Sequence, residues 1–222
     1  ETLAAMLFAA YAVGFVHAIV TSAAALRVVL YEDYSVWPMT LAYSLGYFVS
    51  DFIFYAAPTK QAAIIIHHLV MIVGHYPVME NEAAHLYGGG DAKLIMWLSA
   101  AGYLTEISNL FLDIRWFQLK VMPAAPDQTV YVTNSVFLLA SYIVTRIVVM
   151  PWATLTHLWP NYNAYVEHHQ VKAFWMIFGG ACFITLMSVA YTYILLKPGI
   201  RAFLFYGKPG AAKGTSNGKK AE

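Results

Sequence analysis

Charge is what this chain has least of. Only 11% of its 222 residues are Asp, Glu, Lys or Arg, against about 25% in a soluble domain, so a water-facing surface cannot be assembled from them. The net charge of +1 is too small for electrostatic capture of nucleic acid, and no such partner is expected. A single cysteine, Cys182, excludes an internal disulfide framework. The 8 histidines include no H-x-x-x-H spacing, which would aim two imidazoles at one ion, and no H-x-x-H-H run. The adjacent pairs His67-His68 and His168-His169 diverge by about 100° on a helix, so no metal is expected. No lysine lies within the last apolar run, which excludes a retinal Schiff base.

Hydrophobic residues, by contrast, make up 60% of the chain, and apolar runs long enough to cross a bilayer recur along it. About six spans are predicted, at residues 3–30, 39–57, 62–78, 94–114, 130–150 and 173–196. Pro58, the Tyr76-Pro77 pair, Pro151 and Pro198 mark four of their ends. The expected fold is all-α, a polytopic membrane helical bundle around a lipid-accessible polar cavity. Residues 1–200 form the membrane domain, and residues 201–222 a flexible, basic, polar tail with too few apolar groups to fold alone. The chain opens on Glu1, as a processed or trimmed N-terminus would.

Lys60, Arg115, Lys120 and the tail lysines gather on one side of this topology, whereas the loop with Glu80, Glu82 and Asp91 on the other side is acidic. Both termini are therefore expected in the cytosol. The six tryptophans fall near predicted span ends, as an interfacial belt requires. The ending Lys219-Lys220-Ala221-Glu222 looks like a dilysine retrieval signal, read by a cytosolic coat protein. It points to the endoplasmic-reticulum membrane.

Several spans carry groups that lipid would reject. Tyr47, Asp51 and Tyr55 recur every four residues on one face, and His68 and His75 lie seven apart, with His67 turned about 100° away. Ser99, Glu106 and Asp113 also repeat at sevens, with Asn109 beside Glu106; Asp113 and Arg115 are expected near the interface. The fifth span carries Asn134, Ser141, Thr145 and Arg146, and the sixth Thr185, Ser188 and Tyr191. Such stripes predict a partly polar interior. A buried Arg146 needs a carboxylate, Glu106 first and Asp51 second. His17 and His85 read as uninformative. The alternative to a site is structural: ion pairs and histidine hydrogen bonds that fix helix register.

Gly46-Tyr47-Phe48 with Asp51, then His67-His68, then E-I-S-N-L-F-L-D-I-R-W-F over Glu106 to Phe117, then Asn134 and Arg146-Ile147 before Pro151, resemble in order and spacing the TLC-domain proteins. That group includes ceramide synthases and the translocon-associated TRAM proteins. The stretch from Glu106 to Phe117 resembles the E-x-S-x-P-F-x-N-x-R-W-F run of the branch outside the ceramide synthases, departing from it at Leu110 and Asp113, where proline and asparagine are usual, and the ceramide-synthase H-D-x-x-D motif is missing. The resemblance implies a bundle whose cavity admits an acyl chain from the membrane. Three functions follow as expectations. One is binding of an acyl lipid, lined by Tyr47, Asp51, His75, Asn109, Asn134 and Arg146, in membrane lipid homeostasis or transport. Another is an acyltransferase with acyl-CoA as co-substrate and no bound cofactor, using His67, His68 and Glu106. The third is an accessory subunit of a larger membrane complex.

Overall fold

The computed structural model describes residues 2–60, 62–86, 92–121, 128–167 and 171–206. The dilysine ending and most of the predicted tail, as well as the Gly88-Gly89-Gly90 tract, lie outside the described residues, as do His168 and His169. The described residues are almost all helical, and none is in a strand. In chain order the helices are α1 (Thr2–Tyr31), α2 (Trp37–Asp51), α3 (Ala57–Thr59), α4 (Ala62–Leu86), α5 (Ala92–Tyr103), α6 (Glu106–Lys120), α7 (Gln128–Tyr142), α8 (Met150–Ala153), α9 (Tyr162–Glu167) and α10 (Val171–Tyr206). Three stretches are long and apolar enough to cross a membrane, Ala5–Tyr31, Thr129–Glu167 and Val171–Ile194, and Ile64–Tyr76 is a shorter apolar helix.

Two turns end helices with non-glycine residues in the left-handed region, Glu32 (φ 53°) after α1 and Lys60 (φ 55°) after α3. Beyond Glu32, the Asp33 side chain accepts the Ser35 amide (3.2 Å) and pairs with Arg27. Hydrogen bonds from Ser35, then Arg27, hold its carboxyl below the usual carboxylate range. Pro38 sits in the first turn of α2, where its missing N–H is harmless.

Prolines fail elsewhere as stop signals. α4 runs through Pro77 to Leu86, and α10 through Pro198 to Tyr206. A π-helical stretch, Ile143–Val149, precedes Pro151, and there i→i−5 bonds such as Met150 N–H to the Thr145 carbonyl replace the register that proline interrupts. Helices among other helices tolerate proline because neighbours and local π adjustments re-satisfy the freed backbone groups.

The predicted fourth span is not one helix. It breaks at Leu104 and Thr105, where i→i−3 bonds (Thr105 to Gly102, 3.1 Å; Ser108 to Thr105, 3.2 Å) take over between α5 and α6. Gly102, which weakens a helix interior by about 0.5–1 kcal/mol, precedes the break. A buried guanidinium from Arg146 takes the Thr105 carbonyl (3.1 Å) and so stabilises the break from outside.

α1 packs against α2, α5 and α6; α4 packs against α2, α5 and α10. The apolar core between them is built on Trp37, Leu41, Phe48, Ile95 and Phe174. Trp37 is fully buried rather than interfacial, since its ring meets Tyr103 edge-on at 5.4 Å.

Candidate functional site

Two cavities open inside the bundle, and Ile184 of α10 belongs to the wall of both. The larger, of about 280 Å³, is lined by Tyr11, Gly14, Tyr47, Phe48, Asp51, Tyr55, His67, His68, Glu106, Asn109, Asp113, Tyr142 and Arg146, with Ser188 and Tyr191 from α10. The smaller, of about 110 Å³, is walled mainly by Leu, Ile, Met, Val and Gly, with His75, Ser99 and Tyr103 among its few polar groups.

The histidine pair divides into two environments. His68 Nδ1 lies 2.8 Å from the Ile64 carbonyl, which can only accept, so Nδ1 carries a hydrogen. Its Nε2 lies 2.7 Å from Asp51 Oδ2. The ring geometry there misses an aligned hydrogen bond, so the two side chains are in close contact without one. Asp51 is the last residue of α2, and a π stretch (Phe52–Ala56) follows it, a local irregularity frequent at functional sites. His67 has no hydrogen bond among the described residues. Its ring lies edge-on to His68 (5.6 Å) and to Phe48 (6.1 Å) and borders the larger cavity.

Glu106, 3% exposed, opens α6. It accepts a hydrogen bond from Asn109 Nδ2 (2.8 Å) and lies 3.7 Å from His17 Nδ1. Arg146 was expected to meet a carboxylate and does not among the described residues. Its Nε donates to Ser108 Oγ (3.0 Å), and its Nη2 donates to the Thr105 carbonyl and to Asn109 Oδ1 (both 3.1 Å). Asn109 thus stands between guanidinium and carboxylate, a role for which its amide has one acceptor and one donor end. The carbonyl at the helix break provides the acceptor that a second acid would have supplied. The Arg146 guanidinium also lies over the Tyr142 ring, 4.8 Å from its centroid.

Other candidates fall differently. His75 lines the smaller cavity; its Nδ1 bonds the Met71 carbonyl (2.6 Å) and its Nε2 lies 2.5 Å from Tyr103 Oη. Asn134 borders neither cavity and donates to the Phe111 carbonyl (3.0 Å), tying α7 to α6. Asp113, expected at the interface, is buried and lines the larger cavity.

Sequence reasoning left two residues out of the candidate site. His17 is 1% exposed, stacks on Tyr47 (3.9 Å between centroids) and bonds Ser44 Oγ (2.9 Å). It was a lone imidazole in a long apolar helix, and the rule applied to His67 would have found it. Phe48 meets the rings of His17, His67, His68 and His75 at centroid distances of 5.2, 6.1, 5.5 and 5.9 Å. It is the one ring that all four of these imidazoles pack against among the described residues.

No three His, Cys, Asp or Glu side chains converge as metal ligands among the described residues. The TLC domain family model matches residues 7–197, most of the chain, and the protein belongs to that family. It is a membrane protein of a lipid-related family. No curated protein and no solved structure matches it.

Proposed function

We propose that the protein binds an acyl lipid with its polar head in the larger cavity and acts in membrane lipid homeostasis or transport. The observation that carries this reading is the lining itself. Asp51, His67, Glu106, Asp113 and Arg146 border one space, and apolar side chains of α10 such as Phe183, Ile184 and Met187 border the same space. A volume of about 280 Å³ falls just below the range of ligand pockets, which run about 300–1,000 Å³. It suits a head group and the first carbons of a chain, with the rest of the chain left among bilayer lipids. Residence in the endoplasmic-reticulum membrane with both termini cytosolic, and coat recognition of Lys219-Lys220, complete the proposal.

The test is extraction of lipid from the purified protein followed by mass spectrometry. An acyl lipid retained at about one per chain supports the reading. Lipids in the proportions of the surrounding membrane, or a co-purifying protein with no lipid, contradict it, and the latter favours an accessory subunit.

His67 supports a second reading, acyl transfer. An imidazole with no hydrogen-bond partner among the described residues, bordering the cavity, is free to act as a general base. In that reading His67 takes the proton of an acceptor hydroxyl or amine, which attacks the acyl-CoA thioester carbonyl. The C–S bond breaks, and the CoA thiolate receives the proton. Labelled acyl-CoA turnover that disappears in His67→Ala, with lipid retention and fold unchanged, supports it. No turnover by the wild type excludes it.

A further inference from the structure

From His17 to His75, which lines the smaller cavity, runs a line of hydrogen-bonded buried polar atoms that lipid binding does not require. His17 Nε2 is 2.9 Å from Ser44 Oγ, Ser44 Oγ is 2.6 Å from Tyr103 Oη, and Tyr103 Oη is 2.5 Å from His75 Nε2. His17, Ser44, Tyr103 and His75 are all buried. They come from α1, α2, α5 and α4, so no local sequence pattern produces the line.

The hydrogens in it can be assigned from the end. The Met71 carbonyl fixes a hydrogen on His75 Nδ1, so the Nε2 of a neutral His75 accepts from Tyr103. Tyr103 then accepts from Ser44, and Ser44 accepts from His17 Nε2–H. Every donor points the same way. The remaining nitrogen, His17 Nδ1, is buried without a hydrogen-bond partner and faces Glu106 Oε2 at 3.7 Å. We propose that His17, Ser44, Tyr103 and His75 form a proton path from Glu106 in the larger cavity to His75 in the smaller one.

The step balances. A proton arriving on the Glu106 carboxylate passes to His17 Nδ1. His17 releases its Nε2 hydrogen to Ser44, Ser44 releases its own to Tyr103, and Tyr103 releases its own to His75 Nε2. Glu106 is again a carboxylate, His17 is neutral with its hydrogen on Nδ1, both hydroxyls are neutral, and His75 is an imidazolium. Three links already have hydrogen-bond length. The fourth closes when the Glu106–His17 gap falls to about 2.6–3.2 Å, so it is the gate of the path.

The surroundings suit the two ends differently. Glu106 faces His17 from α1, Asn109 from its own helix and, through Asn109, Arg146. Asp51, Asp113, Tyr47, His67 and His68 share its cavity. His17 is further flanked by the rings of Tyr43, Tyr47 and Phe48. His75 meets Phe48, and the lining of its cavity holds no other ionisable group than Tyr103. A proton delivered there is removed from the carboxylates, onto an imidazole that has no counter-charge in its lining.

The experiment is nitrogen NMR of histidine-labelled protein in lipid nanodiscs across a pH series, with His75 assigned by its loss in His75→Gln and His17 by its loss in His17→Gln. In the wild type at alkaline pH, His75 is expected to carry hydrogen on Nδ1 and His17 on Nε2. On acidification the His17 hydrogen is expected to move to Nδ1 in the same transition that makes His75 an imidazolium. Tyr103→Phe, or Ser44→Ala if that variant does not fold, is expected to leave the His17 hydrogen in place through the transition. A wild-type His75 with its alkaline hydrogen on Nε2, a His17 that does not respond, or coupling that survives either substitution overturns the proposal.

Discussion

The two cavities share walls from α2, α4 and α10 and differ in almost everything else. α4 gives His67 and His68 to the larger and His75 to the smaller; the apolar stretch before the break gives Ser99 and Tyr103 to the smaller, and α6 after it gives Glu106 and Asp113 to the larger. Along α4 the division is made by distance along the helix. Along the fourth predicted span it is made by the break at Leu104 and Thr105. Between the carboxylate-rich space and the apolar one, Ser44, Tyr103 and His75 are hydrogen-bonded to one another. What separates the two is thus a wall made of Phe48 and those bonded side chains.

Breaking that wall should have the largest effect. Phe48→Ala removes the ring that four imidazoles pack against, and truncation of a buried aromatic costs about 3–5 kcal/mol. Equilibrium unfolding in detergent should show that loss, together with a merged histidine environment in the NMR spectrum. An unchanged midpoint would mean that Phe48 is not the divider.

Arg146→Met attacks the break on which the division of the fourth span depends. It leaves the Thr105 carbonyl, Ser108 and Asn109 without their charged donor. A buried polar group left unpaired costs about 1–3 kcal/mol, so a loss of that size is expected, with increased hydrogen exchange at Leu104–Ser108. Exchange confined to other segments would contradict the role assigned to the guanidinium.

Two glycines sharpen the contrast at smaller cost. A Cβ on Gly14, in the larger cavity, would meet Tyr47 Oη at 3.3 Å and Asp113 Oδ2 at 3.7 Å, whereas one on Gly180, in the smaller, would meet nothing within 4 Å. Gly14→Ala should displace the Tyr47 hydroxyl and reduce lipid retention several-fold. Gly180→Ala should leave retention unchanged and raise stability by about 0.4–1 kcal/mol, the ordinary gain for a glycine replaced without strain. Equal retention in the two variants would erase the distinction between the cavities.

Much of this was legible in the sequence. Hydropathy located the helices of an all-α membrane bundle, and the polar stripes identified Tyr47, Asp51, His67, His68, Glu106, Asn109 and Arg146, which share one cavity. Periodicity failed where the helix departs from constant pitch. The heptad that joined Ser99 to Glu106 assumed an unbroken helix, and proline was read as a stop although π turns and neighbouring helices absorb it. The Arg146 partner was missed because charge was matched to charge, when a freed backbone carbonyl and an amide suffice. The line from His17 to His75 had no sequence signature, since each of its links joins residues 27 or more positions apart.

Photo-crosslinking tests the central claim most directly. An acyl lipid carrying a diazirine next to its head group, incorporated in nanodiscs with the wild-type protein, should label the walls of the larger cavity, with peptides containing Tyr11, Tyr55 or Met187 modified and the labelling competed by unmodified lipid. Labelling restricted to the outward-facing Val189, Tyr193 and Ile194 of α10, and insensitive to competitor, would mean that lipid surrounds the bundle without entering it.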